Sequence, residues 1–219
     1  MGYPWVKICG LMAPEQAITI AQQGADAIGF ICVPASPRYV TPAVLKSLGA
    51  ALIRGHSAVE RVGVFVEASD ADIETAVVAG QLTTLQLHGA ESPERCQQLR
   101  QRYPDLRLIK AFRIRSPEAL GQIQPYEAVA DAVLLDAYHP QVFGGTGQTL
   151  DWSALQAFCS QKPWILAGGL TPDNIVEALT VLSPQGIDLS SGVENRPGDK
   201  NLERVQQLFD ALQKLDATV

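Results

Sequence analysis

Eight short β-rich runs recur along the chain at intervals of roughly 22–34 residues, and this rhythm constrains the fold most. They are Trp5–Cys9, Ala27–Cys32, Arg61–Val66, Thr84–His88, Arg107–Phe112, Ala132–Asp136, Trp164–Gly168 and Gly186–Ser190. The intervals are too long for hairpin turns and long enough for a crossover helix, so the strands are expected to run parallel. The intervening segments have helical spacing. Ala17, Ile18, Ile20 and Ala21 share a face in the first, and Leu202, Val205, Leu208, Phe209, Leu212 and Leu215 make a stripe in the last. Thr41-Pro42, Ser92-Pro93, Ser116-Pro117 and Thr171-Pro172 each put a capping hydroxyl before a proline suited to the first helical position. An open doubly wound sheet is the rival arrangement. Eight units, a length of 219 residues and no early G-x-G-x-x-G favour closure, so the α/β reading is one (β/α)8 TIM barrel over residues 1–219.

Charge and cysteine usage narrow the partners. A net charge of -6 gives no general attraction for nucleic acid or anionic lipid. Cys9, Cys32, Cys96 and Cys159 are scattered, without the spacing of a zinc site or a disulfide framework, so the thiols suit a reducing compartment. The amino terminus lacks the apolar core of a signal peptide, and no apolar run reaches the roughly 18 residues of a membrane span. The expectation is a cytoplasmic protein, monomer or homodimer, with a small phosphorylated ligand.

In such a barrel, chemistry gathers at the C-terminal ends of the strands. Those ends carry Lys7 and Cys9, Gln86 and His88, Asp136, and Asp188, and alternation puts Lys7 with Cys9 and Gln86 with His88 on one face. Each has an ordinary alternative. A strand cysteine packs as a small hydrophobe, a terminal carboxylate caps or pairs, and a histidine can be structural. Glycine turns add weight: Gly168 and Gly169 follow the seventh run, and Ser190, Ser191 and Gly192 follow the eighth. Barrels frequently bind phosphate there through backbone N–H groups. Gly144, Gly145, Thr146 and Gly147 lie in a long loop after the sixth run, a position suited to a lid. Lys7 and Asp188 are expected to approach each other, because strands one and eight become neighbours on closure and a buried lysine needs a partner.

Nine runs in order resemble the phosphoribosylanthranilate isomerase family of tryptophan biosynthesis: Val6–Gly10, Ser36–Val40, Val62–Val66, Leu85–Gly89, Lys110–Phe112, Leu134–Asp136, Gly144–Gly147, Ala167–Leu170 and Asp188–Gly198. The resemblance spans nearly the whole chain. It implies an Amadori rearrangement with Asp136 as general acid, Cys9 as general base and Arg38 meeting the anthranilate carboxylate. It also implies Gln86, His88 and Asp188 on the substrate, and no metal or organic cofactor. The acid then needs a carboxyl protonated near neutrality, and the base needs a partly ionised thiol. Glu67, Leu150 and Asn201 depart from the family pattern, which commonly has asparagine, phenylalanine and aspartate there. Two alternatives remain at this stage. A metal-dependent epimerase or a synthase barrel would want more histidine ligands or more strand lysines than His88, Lys7 and Lys110 supply, and a silent barrel would bind a phosphorylated metabolite without turnover.

Overall fold

The computed structural model describes residues 3–55, 58–137 and 152–216. Eight parallel strands close in sequential order: β1 (Trp5–Cys9), β2 (Ala27–Ile31), β3 (Glu60–Phe65), β4 (Thr84–Leu87), β5 (Arg107–Ile114), β6 (Ala132–Ala137), β7 (Trp164–Ala167) and β8 (Gly186–Leu189). Closure is made by β8 against β1, where Lys7 stands opposite Asp188. A small antiparallel hairpin follows, β9 (Glu194–Arg196) with β10 (Asp199–Lys200), which the strand-helix rhythm does not anticipate.

Helices wrap the sheet where apolar residues recur at helical spacing. Helix α1 (Pro14–Gln22) buries Ala17, Ile20 and Ala21, while Ile18 is half-buried. Helix α2 (Pro42–Gly55) begins at the expected proline, with Thr41 Oγ1 accepting from Val44 N. Helices α3 (Asp70–Gly80) and α4 (Pro93–Arg102) are capped by Ser69 and Ser92, whose hydroxyls accept from Asp72 N and Arg95 N. After α5 (Ile175–Val181), α6 (Leu202–Asp216) buries Val205, Leu208, Phe209 and Leu212 against the barrel. Asn201 caps α6, its Oδ1 accepting from Glu203 N and Arg204 N, the service an aspartate would give.

Two helix starts differ from expectation. Ser116-Pro117 opens a 3-10 segment, Pro117–Gln122, and the Ser116 hydroxyl makes no capping bond. Gly121 and Pro125 explain this: one weakens a helix and the other cannot supply the N–H that an α-helix needs there. At Thr171-Pro172 the chain makes a turn, and α5 starts only at Ile175, with Thr171 Oγ1 accepting from Asp173 N and Asn174 N. The described residues between β6 and β7 carry one 3-10 turn, Trp152–Leu155.

The main core lies between sheet and helices, and a second cluster of Ile109, Ala111, Ala132, Leu134, Ile165 and Ala167 fills the barrel beside β5 to β7. On the β1–β8 side the interior is polar, with Lys7 fully buried beside Asp188. Apolar packing thus supports one wall and an ion pair the other. Among the described residues, no helix is long and apolar enough to cross a membrane.

Candidate active site

At the C-terminal mouth of the barrel a cleft of about 680 Å³, open rim included, brings together every described residue that sequence reasoning put forward as a candidate. Cys9, Gln86, Asp136 and Asp188 come from strands, His88 and Arg38 from the segments just after β4 and β2, and Gly168, Gly169, Ser190, Ser191 and Gly192 from the turns after β7 and β8. The Gly144–Gly147 run and His139 lie outside the described residues.

Three polar atoms around the cleft lack a hydrogen-bond partner among the described residues although buried: Gln86 Oε1, His88 Nε2 and Asp188 Oδ1. Buried polar atoms are rarely left so, and these three are open to water or to a ligand entering the cleft. His88 Nε2 stands 3.3 Å from Asp136 Oδ2, close enough for an ion pair but not aligned as a hydrogen bond.

The floor of the cleft is an ion pair and a thiol. Lys7 Nζ donates to Asp188 Oδ2 at 2.7 Å, as closure of β1 on β8 requires. Burial lowers the ammonium's hold on its proton, but Asp188 more than reverses this, so Lys7 lies above the usual lysine range. Burial also pushes the Cys9 thiol up, with Lys7 pulling the other way. The thiol is therefore held protonated more firmly than a free cysteine, whereas sequence reasoning asks for partial ionisation. Gly29, opposite Cys9 in the β1–β2 register, leaves the room both side chains need. A methyl there would fall 2.7 Å from Cys9 Sγ and 2.9 Å from Lys7 Cε.

Arg38 is placed by a turn that follows β2, in which Arg38 N donates to Ser36 Oγ. Its stem lies over Gly10, where a methyl would come 2.7 Å from Arg38 Cδ. One edge of the guanidinium, Nε with Nη2, is already taken. Nε donates to Glu194 Oε1 at 2.9 Å and Nη2 to Glu194 Oε2 at 2.5 Å. Glu194 also accepts from Lys200 Nζ at 2.7 Å and Gly198 N at 3.1 Å. Burial alone would raise the Glu194 carboxyl, but these donors bring it down to about 2. Sequence reasoning singled out neither Glu194 nor Lys200. The Pro197-Gly198 dipeptide was the available signal, since it marks a turn able to fold both onto one hairpin.

The glycine turns meet steric demands that only glycine satisfies. Gly168 and Gly169 have φ of 93° and 66°. A Cβ on Gly192 would stand 1.9 Å from Leu170 O, so the turns after β7 and β8 touch backbone to backbone. A second buried pair supports the rim. Lys110 Nζ donates to Glu91 Oε2 and to the carbonyls of Leu87 and Gly89, fixing the segment that carries His88. Among the described residues, no group of three or more histidine, cysteine or acidic side chains is arranged to hold a metal ion.

A closed (β/α)8 barrel with these groups gathered at the C-terminal strand ends has the architecture of a barrel enzyme. Comparison with known proteins gives the family. The family model described as N-(5'phosphoribosyl)anthranilate (PRA) isomerase matches residues 6–211, and the chain belongs to that family. The N-(5'-phosphoribosyl)anthranilate isomerase of Acaryochloris marina is 55% identical over 96% of this chain and 98% of its own length. Among solved structures, phosphoribosyl anthranilate isomerase from Thermotoga maritima superposes with a TM-score of 0.85 at 33% identity, covering 98% of this chain and 100% of that one. A further isomerase of the family, solved in complex with reduced 1-(o-carboxyphenylamino)-1-deoxyribulose 5-phosphate, gives a TM-score of 0.81 at 31% identity, covering 98% of this chain and 100% of that one.

Proposed function

We propose that this chain catalyses the Amadori rearrangement of N-(5'-phosphoribosyl)anthranilate to 1-(2-carboxyphenylamino)-1-deoxyribulose 5-phosphate in tryptophan biosynthesis, with Asp136 as general acid and Cys9 as general base. The observation that carries the roles is that Cys9 and Asp136 line one cleft together with Arg38 and both glycine turns. Asp136 gives its proton to the ribose ring oxygen as the C1'–O bond breaks, and the nitrogen lone pair forms the C=N bond. The resulting cation makes the C2' proton acidic. Cys9 Sγ removes it, and the C2'–H electron pair flows into an enamine that tautomerises to the ketone. The substrate's own nitrogen is the electron sink, so the reading calls for no metal or organic cofactor.

The raised Cys9 thiol bears on this order of events. Burial disfavours a thiolate, while Lys7 and the cationic imine both favour one, so the reaction runs through the fraction of protein whose thiol has already given its proton to solvent, and those two charges enlarge that fraction. Asp188 keeps Lys7 charged for that task. The open atoms of Gln86, His88 and Asp188 meet the ribose hydroxyls, and backbone N–H groups of Gly168, Gly169, Ser190, Ser191 and Gly192 take the phosphate. The same reading treats the protein as cytoplasmic, as monomer or homodimer, and as a binder of neither nucleic acid nor membrane. The net charge of -6 supports the last point.

The test is decay of anthranilate fluorescence when enzymatically generated phosphoribosylanthranilate meets the protein. Rapid decay is expected, insensitive to chelator, with Cys9→Ser and Asp136→Asn each slower by about a hundredfold or more. A folded wild-type protein that leaves the decay rate unchanged would reject the reading.

A further inference from the structure

We infer that Glu194, with Lys200 behind it, is a positioning residue that presets Arg38 for a substrate carboxylate. The inference rests on the functional reading above, in which Arg38 meets the anthranilate carboxylate.

Glu194 grips one edge of the guanidinium through Nε and Nη2. Such a fork fixes the plane as well as the place of the group. Among the described residues Nη1 has no acceptor, so the opposite edge, Nη1 with the second proton of Nη2, is left for the cleft that Arg38 lines. An arginine on a loop carries much rotamer freedom, and a ligand that had to order it would bind more weakly. Here the stem rests over Gly10 and the head is held by a carboxylate whose side chain is 3% exposed.

That arrangement creates an electrostatic problem. A carboxylate bound to Arg38 cancels the charge that is meant to attract the substrate. Lys200 restores it. Its side chain is fully buried, and Nζ donates to Glu194 Oε1 at 2.7 Å. Arg38, Glu194 and Lys200 together carry one net positive charge, matched to one substrate carboxylate. Lys200 Nζ also donates to Ser190 O at 3.2 Å, and Ser190 Oγ donates to Cys9 O at 3.1 Å. The hairpin is thereby tied to the end of β1, so Arg38 is indexed to the strand that carries Cys9.

The experiment uses binding, which is independent of turnover. The probes are the reduced product, 1-(o-carboxyphenylamino)-1-deoxyribulose 5-phosphate in reduced form, and its phenylamino counterpart without the carboxylate, titrated by calorimetry. Glu194→Gln removes the negative charge and raises the local charge to two. If Glu194 were only a counter-charge, the carboxylated ligand would bind Glu194→Gln more tightly. If it presets Arg38, that ligand binds about tenfold more weakly, some 1.4 kcal/mol, while the ligand without carboxylate is unaffected. Lys200→Met is expected to weaken the carboxylated ligand selectively as well, because it removes the net charge. Tighter binding in Glu194→Gln, or equal loss for both ligands in both variants, would overturn the inference. Wild-type protein that turns over its substrate but binds both ligands equally overturns it too, while leaving the isomerase reading standing. Wild type that neither turns over nor binds the reduced product sinks both.

Discussion

Replacing Lys7 by methionine tests the ion pair beneath the cleft and has a magnitude that can be worked out. Lys7 is fully buried and Asp188 is 8% exposed, with 2.7 Å between Nζ and Oδ2. Methionine fills the space of the lysine stem, so the main loss is electrostatic. Asp188 then has two options. It can stay ionised without a partner, at a cost of about 3–5 kcal/mol, or it can take up a proton. Protonating at about pH 7 a carboxyl whose unfolded value is about 3.9 costs roughly 3.1 × 1.36, or about 4 kcal/mol. Protonation therefore caps the penalty near 4 kcal/mol at neutrality. The same sum at about pH 5 gives roughly 1.5 kcal/mol. The sign follows from linkage. In the variant the folded-state carboxyl is raised above its unfolded value, so the folded protein binds the extra proton and loses stability as pH climbs above about 4. In the wild type burial pushes the Asp188 carboxyl up as well, but Lys7, itself raised, pulls it the other way from 2.7 Å, and the variant loses that pull. Scanning calorimetry on both proteins checks this. For a chain of this length the melting temperature should fall by about 8–16 °C near pH 7 and about 3–6 °C near pH 5. Equal losses at the two pH values would refute the reasoning, since an uncompensated buried carboxyl is its whole basis.

Two further substitutions probe the backbone around the site. Glu67 has φ of 47°, a conformation that asparagine tolerates far better, so Glu67→Asn should raise stability by about 0.5–1 kcal/mol, read as a rise of a few degrees in melting temperature. A fall would mean that the glutamate stem contributes more than the strain costs. Gly192→Ala puts a methyl 1.9 Å from Leu170 O and must part the turns after β7 and β8. Substrate KM should rise about tenfold or more, with weaker inhibition by inorganic phosphate; an unchanged KM would remove these turns from the phosphate site.

Much of the barrel was legible because its determinants are local. Each strand is a short apolar run bounded by turn residues, and the eight runs return as β1 to β8 with ends shifted by two residues at most. Ser92-Pro93 and Thr41-Pro42 start helices where read. The start at Ser116-Pro117 was misjudged for a physical reason. A cap and a proline state only that a helix begins, and Gly121 and Pro125 decide whether it continues. Two of the departures from the family pattern became intelligible only in three dimensions, while Leu150 lies outside the described residues. Position 67 sits at positive φ, which explains why asparagine is common there, and Asn201 caps α6 with the same geometry that an aspartate offers.

The lining of the candidate cleft was legible and the contacts among its side chains were not, for a physical reason. Strand parity and the ends of strands bring Cys9, Gln86, Asp136 and Asp188 to the mouth, and parity is a property of neighbouring residues. Arg38 and Glu194 are 156 residues apart, and their contact depends on the hairpin β9–β10 folding back over the mouth. Charge state depends on the same distant contacts. The base role implied by the resemblance asks Cys9 for partial ionisation, yet burial at the barrel floor outweighs the pull of Lys7. On the proposed reading, a base whose ionisation burial opposes needs the substrate's cationic nitrogen held close to it. On that reading Arg38 and the backbone turns are the groups placed to hold the substrate, so the contacts that fix them join the two proposed reacting side chains as a condition for turnover.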